Sequence, residues 1–298
     1  MEQKRIKRIW ILSLVLPFAA LMAVFAFTDL SISQRLVDMD STFGKFAECS
    51  AEVPFDLVTM FAYAVLFVTR SKKKNVWTVL AKILFFAATF EYGFFVLFYV
   101  FKYLGFSWKL WAGIAGAIPL GTLAILLAKS VIRTNRDAWV RAAVIVVITV
   151  LVQELLVNLL FKMVWARPRM RDLGAPYDAF VPWYLPRSSA LGGDSFPSGH
   201  TSRAAGSFFP VLLCGIYDKL KSKRWLFILF GIIWTVLIGV GRIVLAAHFA
   251  SDVTAGAFLM LLAFGVTAAA VDRVYQKRAE RQSISAADDC IEQSPVVD

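Results

Sequence analysis

The sequence predicts an all-α polytopic membrane protein with about eight transmembrane helices. Three observations predict it. Of 298 residues, 59% are hydrophobic and only 18% charged, with a mean hydropathy of +0.66. A soluble domain is nearer about 45–50% apolar and about 25% charged. Apolar runs of about 20 residues, enough to cross a hydrocarbon core, recur along the chain. The net charge of +11 falls mainly between those runs. This composition excludes a disordered chain, which would be poor in aliphatic and aromatic residues.

The expected spans, in order, are 9–27, 54–69, 76–101, 110–128, 138–161, 201–217, 225–241 and 250–271. The first follows Lys4, Arg5, Lys7 and Arg8, as in a signal peptide. Its apolar stretch outruns a signal h-region and no small-residue cleavage site follows, so it reads as a retained anchor. The second and seventh spans are short. Three units are expected: N-terminal anchor helices over 1–75, a helical core over 76–272, and a polar cytoplasmic tail over 273–298 whose end, from about 282, reads as disordered.

Charge bias sets the orientation. Five clusters of four, at Lys4/Arg5/Lys7/Arg8, Arg70/Lys72/Lys73/Lys74, Lys129/Arg133/Arg136/Arg141, Lys219/Lys221/Lys223/Arg224 and Arg273/Lys277/Arg278/Arg281, alternate along the chain. They share one face only if the number of spans is even, which places both termini in the cytoplasm. The outer segment 28–53 carries Arg35 and Lys45 against Asp29, Asp38, Asp40, Glu48 and Glu52. One outer region breaks the rule, with Lys162, Arg167, Arg169, Arg171 and Arg187, and Arg242 nearby. Such cations either snorkel to headgroups or bind an anion.

Cys49, Cys214 and Cys290 form no CxxC or metal-ligand spacing. Placed at three different depths, they imply no disulfide framework. No carboxylate cluster suggests a metal, and no cofactor is expected.

Three blocks at the outer face carry chemistry. The first runs from Lys162 through Arg167 and Pro168 to Arg169. Guanidinium forks suit tetrahedral oxyanions, and lysine adds a point charge; alone, the block also reads as a juxtamembrane basic cluster. The second is Pro197-Ser198-Gly199-His200, after Gly192 and Gly193 and before an apolar helix. Ser198 can cap that helix, whose free N–H groups suit an anion near His200. The plain alternative is an ordinary capped helix start. The third places Gly241, Arg242, His248 and Asp252 in order. His248 and Asp252, four apart, share a helical face, the pattern of a nucleophile and its orienter. The alternative is a hydrogen-bonded pair between helices, although intramembrane ionisable residues favour function.

Together these blocks resemble the type 2 phosphatidic acid phosphatase superfamily, related to the vanadium haloperoxidases and glucose-6-phosphatase. Lys162 and Arg169 match its first motif, with Met170 in place of a proline. Pro197 to His200 match the second in full. Arg242, His248 and Asp252 match the third, with Gly241 in place of a serine. The resemblance implies a six-helix core from about 76 to 271 with two extra helices before it. It implies a phosphohistidine on His248, held by Asp252, with His200 as acid and then base. Lys162, Arg169, Arg242, Ser198 and the Gly199 N–H would bind the phosphoryl oxygens, without a metal. Arg167 and Glu154 are possible further members. Glu154, Asn158 and Lys162 recur at four-residue spacing, so Glu154 either positions Lys162 through Asn158 or makes an interhelical hydrogen bond. The segment 173–187, rich in Pro, Trp and Tyr, is either an interfacial loop or a flap over the site.

The expected function is a lipid phosphatase acting at the outer face on a lipid phosphate or diphosphate. Undecaprenyl diphosphate, phosphatidic acid and phosphatidylglycerophosphate all fit the resemblance. The nearest rival is a lipid phosphotransferase, and a rival of another class is an anion transporter or channel. The partners implied are the bilayer and the lipid phosphate, not nucleic acid; oligomeric state is not readable. Asn75, Asn135 and Asn158 head no glycosylation sequon, which leans toward a bacterial cytoplasmic membrane.

Overall fold

The computed structural model describes the backbone of residues 2–71, 75–186 and 193–292, and side chains within residues 13–283 of those stretches. The basic side chains of Lys4, Arg5, Lys7, Arg8, Lys72, Lys73, Lys74 and Arg187, together with Gly192 and the side chain of Cys290, lie outside the described residues. The chain is helical, with no strand among the described residues. The helices are α1 (Glu2–Leu36), α2 (Thr42–Ser50), α3 (Val53–Thr69), α4 (Val76–Tyr103), α5 (Lys109–Val131), α6 (Arg136–Gln153), α7 (Lys162–Trp165), α8 (Gly199–Ala204), α9 (Arg224–Val244) and α10 (Ala250–Glu292).

Seven helical stretches among the described residues are long and apolar enough to cross a membrane. The expected crossing at 201–217 is absent from that set because its helical run, Gly199–Gly215, is short, and only its first turn is α-helical. From Ala205 to Gly215 the backbone winds as a 3-10 helix around Pro210. At about 2.0 Å per 3-10 residue, Thr201 to Gly215 still covers about 28 Å, close to the hydrocarbon thickness. The second crossing begins earlier than expected. Ser41 caps α2 by accepting from Gly44 N at 3.3 Å, and α2 meets α3 at Glu52, just before Pro54.

Small residues let α4 and α5 approach closely: a Cβ on Gly113 would meet the Phe94 ring at 2.9 Å, and one on Gly121 the Phe90 ring at 2.8 Å. Buried residues of α3, α6 and the 3-10 segment, among them Phe55, Val65, Val150 and Phe209, form the largest apolar core. Phe18 of α1 stacks on Phe258 of α10, with ring centroids 3.8 Å apart. Arg141 ties α6 to α10 through Asp272 at 2.6 Å. The end of α10 departs from expectation. Its backbone is helical to Glu292, since residues 273–292 hold many good helix formers and no Gly or Pro.

Between α6 and α7 the backbone widens into a π-helix over Glu154–Phe161. Such a segment re-aims side chains and is frequent at functional sites. α7 then stops at Ala166, which has a left-handed φ of 41°. The widened turn and the stop place Glu154, Asn158, Lys162 and Arg167 around the starts of α8 and α10.

Candidate active site

The three sequence blocks converge at one end of the bundle. Ser198 N donates to Asp252 O at 2.9 Å, pinning the start of α8 to α10. A Cβ on Gly199 would lie 2.8 Å from Asn158 Oδ1 and 3.7 Å from Lys162 Nζ, so only glycine lets α8 begin under Lys162. Ser198 is buried, and its Oγ accepts from Thr201 N at 3.3 Å as an N-cap.

His248 sits in the short connection between α9 and α10, its N–H bonded to Arg242 O at 3.3 Å. Its Nδ1 lies 2.7 Å from Ser195 O. A carbonyl only accepts, so Nδ1 carries the proton and Nε2 keeps its lone pair. The expected direct grip of Asp252 on the ring is not what the geometry gives. Asp252 Oδ2 stands 3.8 Å from Nδ1, beyond hydrogen-bonding distance. It instead accepts from Ser195 Oγ at 2.6 Å and Phe249 N at 2.8 Å. Asp252 therefore orients His248 at one remove, through Ser195 and the backbone.

Arg167 is 1% exposed and spent on protein partners. Its Nε donates to Val181 O at 2.8 Å, one terminal nitrogen to Asp252 at 2.6 Å and to Ser251 Oγ at 2.8 Å, and the other to Asp29 at 2.9 Å. The Phe249 ring lies 4.2 Å from its guanidinium carbon. These bonds leave it a loop-and-carboxylate contact, not a phosphate ligand.

The remaining cations are differently disposed. Arg242 is 2% exposed; one terminal nitrogen makes an ion pair with Glu48 at 3.5 Å, while its Nε has no hydrogen-bond partner. Arg169 bonds Asp194 at 2.6 Å, while its buried Nε is likewise unpartnered. Lys162 is partly buried within reach of the Arg169 charge. Buried donors without partners are rare in native proteins. Two such atoms, Nε of Arg242 and Nε of Arg169, lie on arginines near His248, an arrangement suited to an anion.

His200 opens α8, with Nε2 3.8 Å from Glu52 Oε1. Arg203 bridges Glu52, at 2.5 Å, and Glu154, at 2.6 Å. Glu154 also accepts from Asn158 at 2.6 Å. Its chief partner is thus Arg203, and the stripe expected to end at Lys162 stops at Asn158. Burial, then the charges of Arg242 and His248, holds the His200 imidazole well below the usual 6.5. Burial also pulls His248 below 6.5, partly countered by Asp252.

The sequence blocks omit Ser195, Asp29, Glu48, Glu52 and Arg203. Ser195 had no signal. The three carboxylates had one: all lie in the acid-rich outer segment 28–53. The two motif departures have packing causes. Met170 is buried against Ala246 and Phe249. A Cβ on Gly241 would meet Ala47 Cβ of α2 at 2.2 Å. In the segment 173–186, Trp183 donates to Met22 O at 3.0 Å and its carbonyl accepts from Trp165, which straps this stretch to α1 and α7. No group of three or more His, Cys, Asp or Glu is placed to hold a metal among the described residues.

Comparison with known proteins gives two matches. Phosphatidylglycerophosphatase B of Bacillus subtilis (strain 168) is 40% identical over 74 residues, which cover 24% of this chain and 36% of that protein. The chain thus matches little more than a third of that relative's length. No solved structure gives a significant match. The PAP2 superfamily model matches residues 139–276, from the start of α6 well into α10. Over this region, which carries all three blocks, the chain is similar to the PAP2 superfamily.

Proposed function

We propose that the protein is an integral membrane lipid phosphatase whose phosphate site is formed by Lys162, Arg169, Arg242 and the α8 N-terminus. One observation carries this reading: unpartnered, buried guanidinium N–H groups on Arg242 and Arg169 beside a histidine whose Nδ1 is committed to a carbonyl. Nε2 of His248 attacks phosphorus, and the N–P bond forms as the P–O bond to the lipid breaks. His200 gives its proton to the leaving oxygen. It then takes a proton from water, which attacks the phosphohistidine and releases inorganic phosphate. Fixed cations and helix N–H groups supply the charge stabilisation that phosphoryl transfer requires. The basic clusters on alternate connections support a site facing away from the cytoplasm, with both termini inside.

Similarity to a phosphatidylglycerophosphatase puts phosphatidylglycerophosphate first among candidate substrates, beside phosphatidic acid and undecaprenyl diphosphate. The test is phosphate release from a panel of these three lipids, with His248→Ala as control. Undiminished release by that variant overturns the assignment. Release that requires a lipid acceptor, with the phosphoryl group recovered on it, converts the reading to a phosphotransferase.

A further inference from the structure

Cations gathered for phosphate also draw sulfate and the phosphodiester headgroups of ordinary bilayer lipids. These anions differ from the intended ligand in one respect that a protein can read. A phosphate monoester near or below its second pKa of about 6 carries a P–OH, and so does orthophosphate. Sulfate and a phosphodiester carry none, so they only accept hydrogen bonds. An ionised carboxylate also only accepts, so one placed beside the cations separates the two classes.

Asp194 is so placed. Its Oδ2 accepts from a terminal nitrogen of Arg169 at 2.6 Å, and of the charges that act on Lys162 its own is the foremost. The backbone on either side of it is fixed. A Cβ on Gly193 would lie 2.5 Å from Ala166 O and 2.7 Å from Arg167 O, so only glycine lets the chain pass this close to the turn after α7. Ser195 N donates to Arg167 O at 2.9 Å, and Ser195 O meets His248 Nδ1 at 2.7 Å. Asp194 is thus one residue from the carbonyl that mounts the nucleophile. Its side chain is about half exposed, so an anion can reach it. Arg169 keeps a buried Nε with no hydrogen-bond partner. An anion bound there shares one guanidinium with Asp194 and lies beside it.

We propose that Asp194 is a specificity-determining residue, which accepts a hydrogen bond from the P–OH of a protonated phosphate and repels anions that lack that proton. This rests on the phosphatase reading above and deepens it: the lipid is selected as a phosphate that still carries a proton. Two negative groups on one guanidinium repel each other unless a proton lies between them. With the P–OH between them, the same contact becomes a charge-assisted hydrogen bond. The discrimination is a cost against the wrong ligand as much as a gain for the right one. It keeps the phosphodiester lipids of the bilayer off the cations.

The experiment uses the full-length protein in lipid–detergent micelles at a fixed, mildly acid pH. Initial rates are read from the dephosphorylated lipid, so that orthophosphate can be added. Orthophosphate and sulfate are compared as competitive inhibitors. The wild-type protein should hold orthophosphate at least about tenfold more tightly than sulfate, the scale of a hydrogen bond to a charged group. Asp194→Asn, which can turn an amide donor to the anion, should lose most of this preference, chiefly by binding sulfate more tightly. Phosphatidylglycerol, a phosphodiester, should follow sulfate and inhibit the variant more than the wild type. An unchanged preference in Asp194→Asn overturns the proposal. So does an equal weakening of both ions, the result expected if Asp194 merely aims Arg169. A wild-type protein without the preference overturns it too, and that measurement decides if the variant does not fold. The shift in thermal midpoint caused by each ion gives the same comparison without turnover. Failure of the phosphatase reading shows separately, as undiminished dephosphorylation by His248→Ala.

Discussion

Gly241 stands where the family motif has serine, and restoring the serine should harm this protein. The reason is α2, packed against the end of α9. A Cβ at 241 would lie 2.2 Å from Ala47 Cβ, about 1.5 Å inside the ordinary carbon–carbon contact of about 3.5–4.0 Å. Neither helix can yield easily, since a Cβ on Gly44 would already meet Leu245 Cγ at 2.6 Å. Overpacking of this kind costs about 1–3 kcal/mol, so Gly241→Ser should lower the thermal midpoint by several °C. It should also lower phosphate release, because α2 carries Glu48, the ion-pair partner of Arg242. Ala47→Gly removes the clashing methyl and leaves Ala47 Cα at 3.7 Å, an ordinary contact. Alone it costs about 1 kcal/mol of helix propensity. In combination with Gly241→Ser it should recover most of the lost midpoint and activity. A double-mutant cycle measures this coupling, expected at about 1–2 kcal/mol. Gly241→Ser with wild-type midpoint and activity refutes the packing argument, and so does a loss that Ala47→Gly leaves unrelieved.

Three further outcomes follow from the site. Arg167→Met leaves Asp29 and Asp252 as uncompensated buried carboxylates, at a cost of about 3–5 kcal/mol. Arg167→Lys should rescue little, since an ammonium cannot serve Val181 O, Ser251 and both carboxylates together; thermal unfolding in detergent checks both. Trp183→Ala breaks the bond to Met22 and should lower stability and release from every substrate. Tyr184, about half exposed, should instead affect long-chain lipid phosphates more than a short soluble ester when changed to alanine; release from the two substrates separates the cases. The pH dependence has a worked sign. His248 must be neutral and His200 protonated, and both lie below 6.5 in the free site. The kcat/KM profile, which reports the free enzyme, should therefore be bell-shaped with its maximum on the acid side of 6.5. Bound phosphate adds negative charge beside His200, so the alkaline limb of kcat should lie at higher pH. A flat profile from about pH 5 to 9 refutes the two-histidine scheme.

The fold was legible because apolar runs and alternating charge follow directly from the bilayer. The 3-10 crossing was not, since a run of Ala, Phe, Leu and Gly around one proline does not declare its helical period. At the site, the cations and imidazoles proposed to act on phosphate were legible because each is a costly group at a membrane face. Arg167 looked the same in sequence. What separates it from Arg169 is the left-handed turn at Ala166, which no side-chain pattern announces. Ser195 was illegible for a different reason: the carbonyl that fixes His248 belongs to the backbone, which every residue possesses.

The charges of the site also explain why the first three helices belong with it. A receptor for a phosphate needs buried cations, and buried cations of one sign repel. The matched family region supplies Lys162, Arg167, Arg169, Arg203 and Arg242, but few carboxylates among them. Asp29 of α1 and Asp252 together hold Arg167, Glu48 of α2 faces Arg242, and Glu52 shares Arg203 with Glu154. Each N-terminal carboxylate thus meets a different arginine. Arg242 receives the weakest of these partners, an ion pair at 3.5 Å with no hydrogen bond. The compensation is strong where an arginine has a structural duty and weaker at Arg242, as the proposed anion site requires.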